Sequence, residues 1–181
     1  MSADEEETLE ALLARHGIKN WDVVIVGDGS GSSWSREAGW ASVSIEKVTM
    51  ERLVHAGMVN RGTVNLAEMM AYIQPLEWLA SREADRRKEK GGTRAFNVHI
   101  LTDSDYCRQT GNSTNRLMTK NAGLWAVFDV FARHGFVLNW HWIPRESCDL
   151  NRYCDKLSKM ARKLIKGYNL QDRMAETGAE T

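Results

Sequence analysis

The sequence predicts an α/β fold: a five-stranded mixed sheet, with three antiparallel strands followed by two parallel ones, flanked by helices. Three strand-like segments lie close together early in the chain, at residues 21–27, 40–45 and 53–59. Two later ones, at 96–101 and 136–143, each follow a segment with helical periodicity. Because strands joined through helices lie parallel, whereas short connections join antiparallel strands, this order indicates a mixed sheet.

Length and charge restrict the class of protein. A chain of 181 residues suits one domain with a short appendage and can bury a substantial core. Its 24 basic and 24 acidic side chains give a formal net charge of +0, so any contact with nucleic acid would need a local basic patch. No apolar run reaches the roughly 18 residues of a membrane span, and the first residues are polar and acidic. We therefore expect no membrane partner and an intracellular, cytoplasmic location.

The three cysteines, Cys107, Cys148 and Cys154, do not form a disulfide framework. Their number is odd and they contain no CxxC pair, which suits a reducing compartment. Cys148 and Cys154 could ligate zinc together with His141, but the spacing matches no common zinc pattern. Ordinary buried thiols are the favoured interpretation.

The first half of the chain contains a short helix, the three early strands and a long helix. Leucines at helical spacing predict a helix over residues 4–16, and Gly17 is typical of a helix end. Residues 21–27 are apolar and rich in β-branched side chains, which predicts a strand buried on both faces and followed by a glycine-rich turn. Residues 40–45 alternate with period two, as in a half-exposed strand, and 53–59 should be the antiparallel neighbour.

The second half alternates helices with the two later strands. Residues 65–82 predict an apolar helix in which Pro75 should cause a kink or disturb the preceding turn. The segment 86–92 predicts a charged, flexible connection. Further helices are predicted up to residue 109, over 124–134 and over about 150–164. We interpret the organisation as a helical extension at 1–20, a domain at 21–167 and a polar, disordered tail at 168–181.

Two aspartates directly follow apolar strands. Asp28 comes after the strand that begins at Trp21, and Asp103 comes after the strand 96–101. If these strands are parallel neighbours, their carboxyl ends open onto one edge of the sheet and the aspartates face each other. Like charges at that distance repel unless a cation intervenes, which favours a divalent metal with oxygen ligands.

Other acids allow two interpretations. Glu68 lies in the first turn of an apolar helix, where it could be a metal ligand or could complete a capping box with Asn65. Asp155 lies at the edge of the apolar stripe of the last helix and by itself resembles an exposed helix acid. Asp105 and Asp149 suit the first turns of helices, where acids interact favourably with the helix dipole.

Four motifs, in this order, resemble those of type 1 ribonuclease H. The resemblance covers roughly residues 21–165, and each motif is short, so the specificity comes from the four together. They are Asp28-Gly29-Ser30 after a strand, Thr63-Val64-Asn65-Leu66-Ala67-Glu68 at a helix start, Thr102-Asp103-Ser104-Asp105-Tyr106, and Asn151-Arg152-Tyr153-Cys154-Asp155-Lys156-Leu157.

The resemblance implies a ribonuclease-H-like fold and a metal-dependent endonuclease that hydrolyses the RNA strand of RNA–DNA hybrids. It implies that Asp28, Glu68, Asp103 and Asp155 hold two Mg²⁺ ions, for which Mn²⁺ can substitute. One ion would activate water and the other would stabilise the leaving 3′-oxygen, giving 5′-phosphate products. It thus favours Glu68 as a ligand and Asp155 over Asp149. We expect the protein to be a monomer.

Several groups beside the acids are candidates for binding the hybrid, whose 2′-hydroxyls distinguish RNA from DNA. They are the amides of Gly29 and Ser30, the side chains of Asn65 and Ser104, and Arg145. Arg145 lies in the loop 143–149, where bacterial members of the family carry a histidine. Arginine cannot transfer protons at neutral pH, so its help would be electrostatic and a lower rate would follow.

Two further departures concern substrate binding. The segment between Gln109 and Lys120 is too short for the basic protrusion of some members, and Asp105 stands where glutamine is common. Two alternative functions stay open: a DNA-cleaving integrase or resolvase on the same fold, and a non-catalytic nucleic-acid-binding domain. Four retained acids argue against the second, because burying like charges is costly without a purpose.

Overall fold

The computed structural model describes residues 8–32, 37–90, 94–113 and 120–177, with side chains described except at 86–90 and 165–177. Several predicted features lie outside these residues. They are the acidic start at 1–7, the glycines of the connection at 91–93, the middle of the short segment before Lys120 at 114–119, and the end of the tail at 178–181.

The described part of the chain forms one five-stranded sheet with the order β3-β2-β1-β4-β5. Strand β1 pairs antiparallel with β2 and β2 with β3, whereas β1 pairs parallel with β4 and β4 with β5. This arrangement confirms the predicted mixed sheet. In chain order the elements are α1 (Leu9–Arg15), β1 (Val23–Gly31), β2 (Ala38–Glu46), β3 (Arg52–Val59), α2 (Val64–Lys90), β4 (Phe96–Thr102), α3 (Asp105–Gly111), α4 (Ala122–Arg133), β5 (Phe136–Trp142) and α5 (Asp149–Thr177).

Helices cover both faces of the sheet. On one face, Tyr72 and Leu76 of α2 and Phe128 of α4 pack with Ile25 and Ile100 of the central strands. On the other face lie α1 and α5, which pack on the strand side chains that point to that face, such as Val24 and Val26 of β1. Strand β2 lies between α2 and α5, and all nine of its residues are buried. The prediction of a half-exposed strand at 40–45 was therefore wrong, because alternation of polarity does not reveal a second helical layer.

Helix α1 belongs to the same core as the sheet. Thr8 caps it, because the Thr8 Oγ1 accepts a hydrogen bond from the Ala11 N–H at 3.2 Å. Its apolar face, Leu9, Leu12 and Leu13, packs in a cluster with residues of β1, β2, β4 and α5. The helical part of the predicted extension is thus packed against the domain that follows it.

Three elements are longer than the sequence predicted. Strand β1 continues through Asp28 to Gly31 because its last residues pair with Ala41 to Ala38 of β2, so the predicted glycine-rich turn is strand. Helix α2 contains Pro75 and continues to Lys90, into the predicted flexible connection. The backbone of α5 continues to Thr177, ten residues into the predicted disordered tail. None of the described helices combines the length and the apolar character that a bilayer span requires.

Helix α5 lies unusually close to strand β2 at Gly39. A Cβ atom at Gly39 would lie 2.2 Å from the Ser158 carbonyl oxygen and 2.4 Å from the Arg162 backbone nitrogen. Both neighbours are backbone atoms of α5, so the helix itself would have to move. Gly39 therefore determines how closely α5 approaches the sheet.

The close approach predicts a large difference between two glycine substitutions. We expect Gly39→Ala to lower the free energy of unfolding by roughly 2 kcal/mol or more, because the helix must shift outward. Gly123 lies in α4 with open space around its Cβ position, so Gly123→Ala should raise stability by about 0.5 kcal/mol through helix propensity. Urea denaturation measures both changes. Equal effects of the two substitutions would contradict the close packing of α5 at Gly39.

Candidate active site

The sheet brings Asp28 and Asp103 together through the pairing of β1 with β4. Val26 pairs with Leu101 in the parallel register; Asp28 lies two residues further along β1, and Asp103 lies two residues after Leu101, directly after the end of β4. Because side chains alternate between faces with period two, both aspartates lie at one level and on one face. Asp28 is 1% exposed, and the side chain of Asp103 is 2% exposed. This confirms that the two carboxylates meet, although Asp28 lies within β1 and not at its end.

Helix α2 brings a third carboxylate, that of Glu68, to the same place. Thr63 caps this helix, since its Oγ1 accepts a hydrogen bond from the Leu66 N–H at 3.1 Å. Glu68 is 3% exposed and accepts a hydrogen bond from the Gly29 N–H. Of the two interpretations left open for Glu68, the capping box with Asn65 is therefore not what the structure shows.

Gly29 permits this approach of α2 to β1. A Cβ atom there would lie 2.3 Å from the Glu68 backbone nitrogen, so any side chain would push α2 away. The Gly29 N–H is directed to the Glu68 carboxylate. The Gly29 N–H is therefore engaged within the protein, and its predicted contact with nucleic acid stays a prediction.

The three carboxylates form one cluster that suits a divalent cation. One oxygen from each of Asp28, Glu68 and Asp103 lies within 4.8 Å of the others. Asp28 Oδ1, Glu68 Oε2 and Asp103 Oδ1 are buried and have no hydrogen-bond partner. Buried carboxylate oxygens normally have partners, and these hard oxygen donors are the ligands that Mg²⁺ and Mn²⁺ prefer. The donor set fits the predicted metal.

Burial and mutual repulsion shift the protonation of these acids. Burial raises the pKa of Asp28 from 3.8 to about 6, and the charges of Asp103 and Asp155 contribute to the rise, whereas a hydrogen bond from Ser158 opposes it. Burial, followed by the charges of Asp28 and Asp103, raises the pKa of Glu68 well above its usual value. A cation between the carboxylates would relieve the repulsion that produces part of both shifts.

Asp155, the fourth predicted ligand, lies near the cluster but not in it. Its Oδ2 accepts a hydrogen bond from the Lys159 Nζ at 2.6 Å. Its charge contributes to the raised pKa of Asp28, which places it within electrostatic reach of the site. The structure therefore brings together three of the four predicted acids, and the role of Asp155 stays a prediction.

Ser158 is a site residue that the sequence reasoning missed. It is fully buried, and its Oγ–H donates a hydrogen bond to Asp28 Oδ2 at 2.6 Å. This contact holds Asp28 Oδ2 and leaves Asp28 Oδ1 for the cluster. The signal in the sequence was a serine four residues after Cys154, on the otherwise apolar face of the last helix.

The other predicted binding residues occupy different positions at this edge of the sheet. Arg145 Nε lies 3.1 Å from Asp103 Oδ2 and forms an ion pair with it. Ser104 caps α3, because its Oγ accepts a hydrogen bond from the Cys107 N–H at 3.3 Å. Asn65 is half-buried in the first turn of α2, and Ser30 lies in β1 opposite Gly39.

The structure does not support a metal-binding role for the other two acids, Asp105 and Asp149, or a zinc site that includes His141. Asp105 pairs with Arg108, and Asp149 pairs with Arg152, each within its own helix. His141 stacks on His99, with His141 Nε2 2.9 Å from His99 Nδ1. Among the described residues, the three-acid cluster is the one group of three side chains whose ligand atoms meet. The three cysteines are buried and none forms a disulfide bond, as the favoured interpretation predicted.

Comparison with known proteins identifies relatives of this fold. The RNase H family model matches residues 20–163. No curated protein sequence matches the chain. The N-terminal RNase H domain of a Mycobacterium tuberculosis protein, solved as a fusion with maltose-binding protein, is similar with a TM-score of 0.59 and 22% identity, over 83% of this chain and 99% of that one.

Two further solved structures are similar. One is LC11-RNase H1, isolated from compost by a metagenomic approach and solved in complex with an RNA/DNA hybrid. In that complex its TM-score is 0.57 and its identity 21%, over 79% of this chain and 98% of that one. The other is RNase H1 from Halobacterium salinarum, with a TM-score of 0.52 and 19% identity, over 77% of this chain and 96% of that one. At these identities the likeness concerns the fold.

The raised pKa of Asp28 predicts that Asp28→Asn stabilises the cation-free protein at neutral pH. The folded-state pKa of about 6 exceeds the unfolded 3.8, so the carboxylate destabilises the fold above pH 6 and ceases to do so as the pH falls towards 3.8. At pH 7.5 in EDTA the substitution should add roughly 3 kcal/mol to the free energy of unfolding, and at pH 4 almost nothing.

Denaturant titrations at the two pH values measure this difference. Asp105→Asn is the matched control, because the Asp105 carboxylate is exposed and pairs with Arg108. Its effect should be small at both pH values. A loss of stability at pH 7.5 in Asp28→Asn would show that the buried Asp28 charge does not lower the free energy of unfolding.

Proposed function

The chain belongs to the ribonuclease H family, and we propose that it hydrolyses the RNA strand of RNA–DNA hybrids. One observation carries the proposal: three buried carboxylates from β1, β4 and α2 face one another with unpartnered oxygens. Burying like charges is costly, and a cation bound between them is the simplest compensation. The complex of LC11-RNase H1 with an RNA/DNA hybrid supports the choice of substrate class.

We propose that Asp28, Glu68 and Asp103, completed by Asp155 from α5, hold two Mg²⁺ ions, with Mn²⁺ as a substitute. When bound, the ions supply an activated water for in-line attack and stabilise the leaving 3′-oxygen, so that the products carry 5′-phosphates. The residues around the acids keep them in place. Ser158 fixes one oxygen of Asp28, and the Gly29 amide fixes the Glu68 carboxylate.

Arg145 would provide positive charge where the phosphate binds. Its guanidinium lies against Asp103 and its side chain is 66% exposed, so it can reach a substrate. An arginine neither accepts nor releases a proton near neutral pH, so its contribution is electrostatic. We expect turnover to be slower than with a histidine in this loop.

The side chains of Asn65 and Ser104 and the backbone amide of Ser30 are the proposed contacts to the hybrid, because they lie beside the three acids in the chain. We further propose that the protein acts as a monomer in the cytoplasm. Its three buried cysteines, none of them in a disulfide bond, support a reducing compartment.

The direct test is cleavage of labelled RNA–DNA hybrid, duplex DNA and duplex RNA, each with Mg²⁺, with Mn²⁺ and with EDTA. We expect metal-dependent cleavage of the RNA strand of the hybrid only. Asp28→Asn and Asp103→Asn should lower the rate at least about 10³-fold, because each removes a charged oxygen donor from the cluster. Asp155→Asn should also lower the rate if Asp155 completes the set.

The other outcomes of this assay distinguish the alternatives. Cleavage of duplex DNA would favour an integrase- or resolvase-like nuclease. Binding of hybrid without cleavage, under every metal condition, would favour a non-catalytic binding domain. Glu77→Gln serves as the control, because Glu77 is exposed on α2 and lies nine residues beyond Glu68.

Asn65→Ala tests the proposed contact to the hybrid. We expect KM for the hybrid to rise by roughly fivefold and kcat to change less, because a lost hydrogen bond to bound substrate costs about 1 kcal/mol. Steady-state cleavage kinetics measure both constants. Unchanged kinetics would exclude Asn65 from substrate binding.

A further inference from the structure

The ion pair between Arg145 and Asp103 joins two very different side chains. The Asp103 side chain is 2% exposed and belongs to the three-acid cluster, whereas the Arg145 side chain is 66% exposed and reaches the cluster from the solvent side. One Asp103 oxygen, Oδ2, accepts the hydrogen bond from Arg145 Nε, and the other, Oδ1, is buried without a partner. Arg145 thus engages one member of the cluster from outside.

The loop that carries Arg145 is held on both sides of that residue. The Ser147 N–H donates to the Pro144 carbonyl at 3.2 Å. The Glu146 N–H donates to Oδ1 of the fully buried Asn151 at 2.6 Å, and the Arg152 guanidinium donates to the Glu146 carbonyl at 2.9 Å. These contacts hold the backbone on both sides of Arg145, so the loop places the start of its side chain beside Asp103.

The charge of Arg145 acts on the whole cluster. It opposes the rise in the pKa of both Asp28 and Glu68, and the charges of those acids act back on Arg145. The guanidinium therefore partly neutralises three carboxylates that would otherwise repel one another. A divalent cation bound at the same carboxylates would do this more completely and would repel the guanidinium.

We propose that Arg145 is the counter-ion of the three-acid cluster and that its positive charge opposes the binding of a divalent cation there. The guanidinium holds Asp103 Oδ2 and leaves the buried Oδ1 for the cation, so two positive charges would act on one carboxylate. This inference rests on the cation site of the proposed function but does not require that the protein cleave anything.

The positive charge of Arg145 determines whether its removal raises or lowers the affinity for a divalent cation. Removing a residue from a metal site usually weakens binding, whereas removing a competing charge strengthens it. We expect Arg145→Ala to bind Mn²⁺ about three- to tenfold more tightly than the unaltered protein, a range that corresponds to the loss of one partly exposed ion pair and its repulsion of the cation. Arg145→Lys keeps the charge and should stay within about twofold of the unaltered protein.

Isothermal titration calorimetry of the full chain with Mn²⁺, at pH 7.5 and low salt and without nucleic acid, measures these affinities. Arg108→Ala is the matched control, because Arg108 also pairs with an aspartate, Asp105, near the same edge of the sheet but outside the cluster. Its affinity for Mn²⁺ should be unchanged. Circular dichroism of each variant establishes that it is folded, and thermal unfolding with and without Mn²⁺ gives a second measure of binding.

Each outcome decides the proposal. Tighter binding in Arg145→Ala, with Arg108→Ala unchanged, supports it. Weaker or equal binding in Arg145→Ala overturns it, and so does the absence of Mn²⁺ binding in all variants. If Arg145→Ala binds more tightly but no hybrid is cleaved, the counter-ion role stands and the proposed nuclease activity fails. If hybrid is cleaved but Arg145→Ala does not bind Mn²⁺ more tightly, the nuclease activity stands and the counter-ion role fails.

Discussion

The close approach of helix α2 to strand β1 at Gly29 is the contact on which the site depends. With no side chain at Gly29, the backbone of Glu68 lies directly against the strand, and the Glu68 carboxylate reaches the two aspartates. On the opposite face, the absence of a side chain at Gly39 lets α5 approach the sheet closely, and Ser158 of α5 thereby reaches Asp28. Two glycines on neighbouring strands, one for each helical layer, thus position the groups that surround Asp28.

Much of this arrangement could be predicted from the sequence. The two apolar strands that precede Asp28 and Asp103 are central in the sheet, and their parallel pairing places both acids at one level, as the order of elements indicated. The helical position of Glu68 was also predicted; its local pattern left the choice between ligand and cap open, and the resemblance favoured the ligand. Patterns of this kind succeed because the periodicity of apolar residues reflects burial, and burial determines which elements lie at the centre of the sheet.

The remaining features depend on contacts between segments distant in the chain. Asp28-Gly29-Ser30 has the composition of a turn, yet it stays in β1 because β2 pairs with it to Gly31. Asn65 and Glu68 have the spacing of a capping box, yet Thr63 caps the helix and the Gly29 amide binds the glutamate. Local propensity cannot predict such outcomes, because the competing partner comes from another element. The same applies to Asp155, which pairs with Lys159 one helical turn later.

The central claim is that the three buried carboxylates are a divalent-cation site. A crystal of the protein soaked in Mn²⁺ and measured at a wavelength where manganese scatters anomalously tests it most directly. The account predicts an anomalous peak bound by oxygens of Asp28, Glu68 and Asp103. Soaked crystals with no peak among these acids would contradict it.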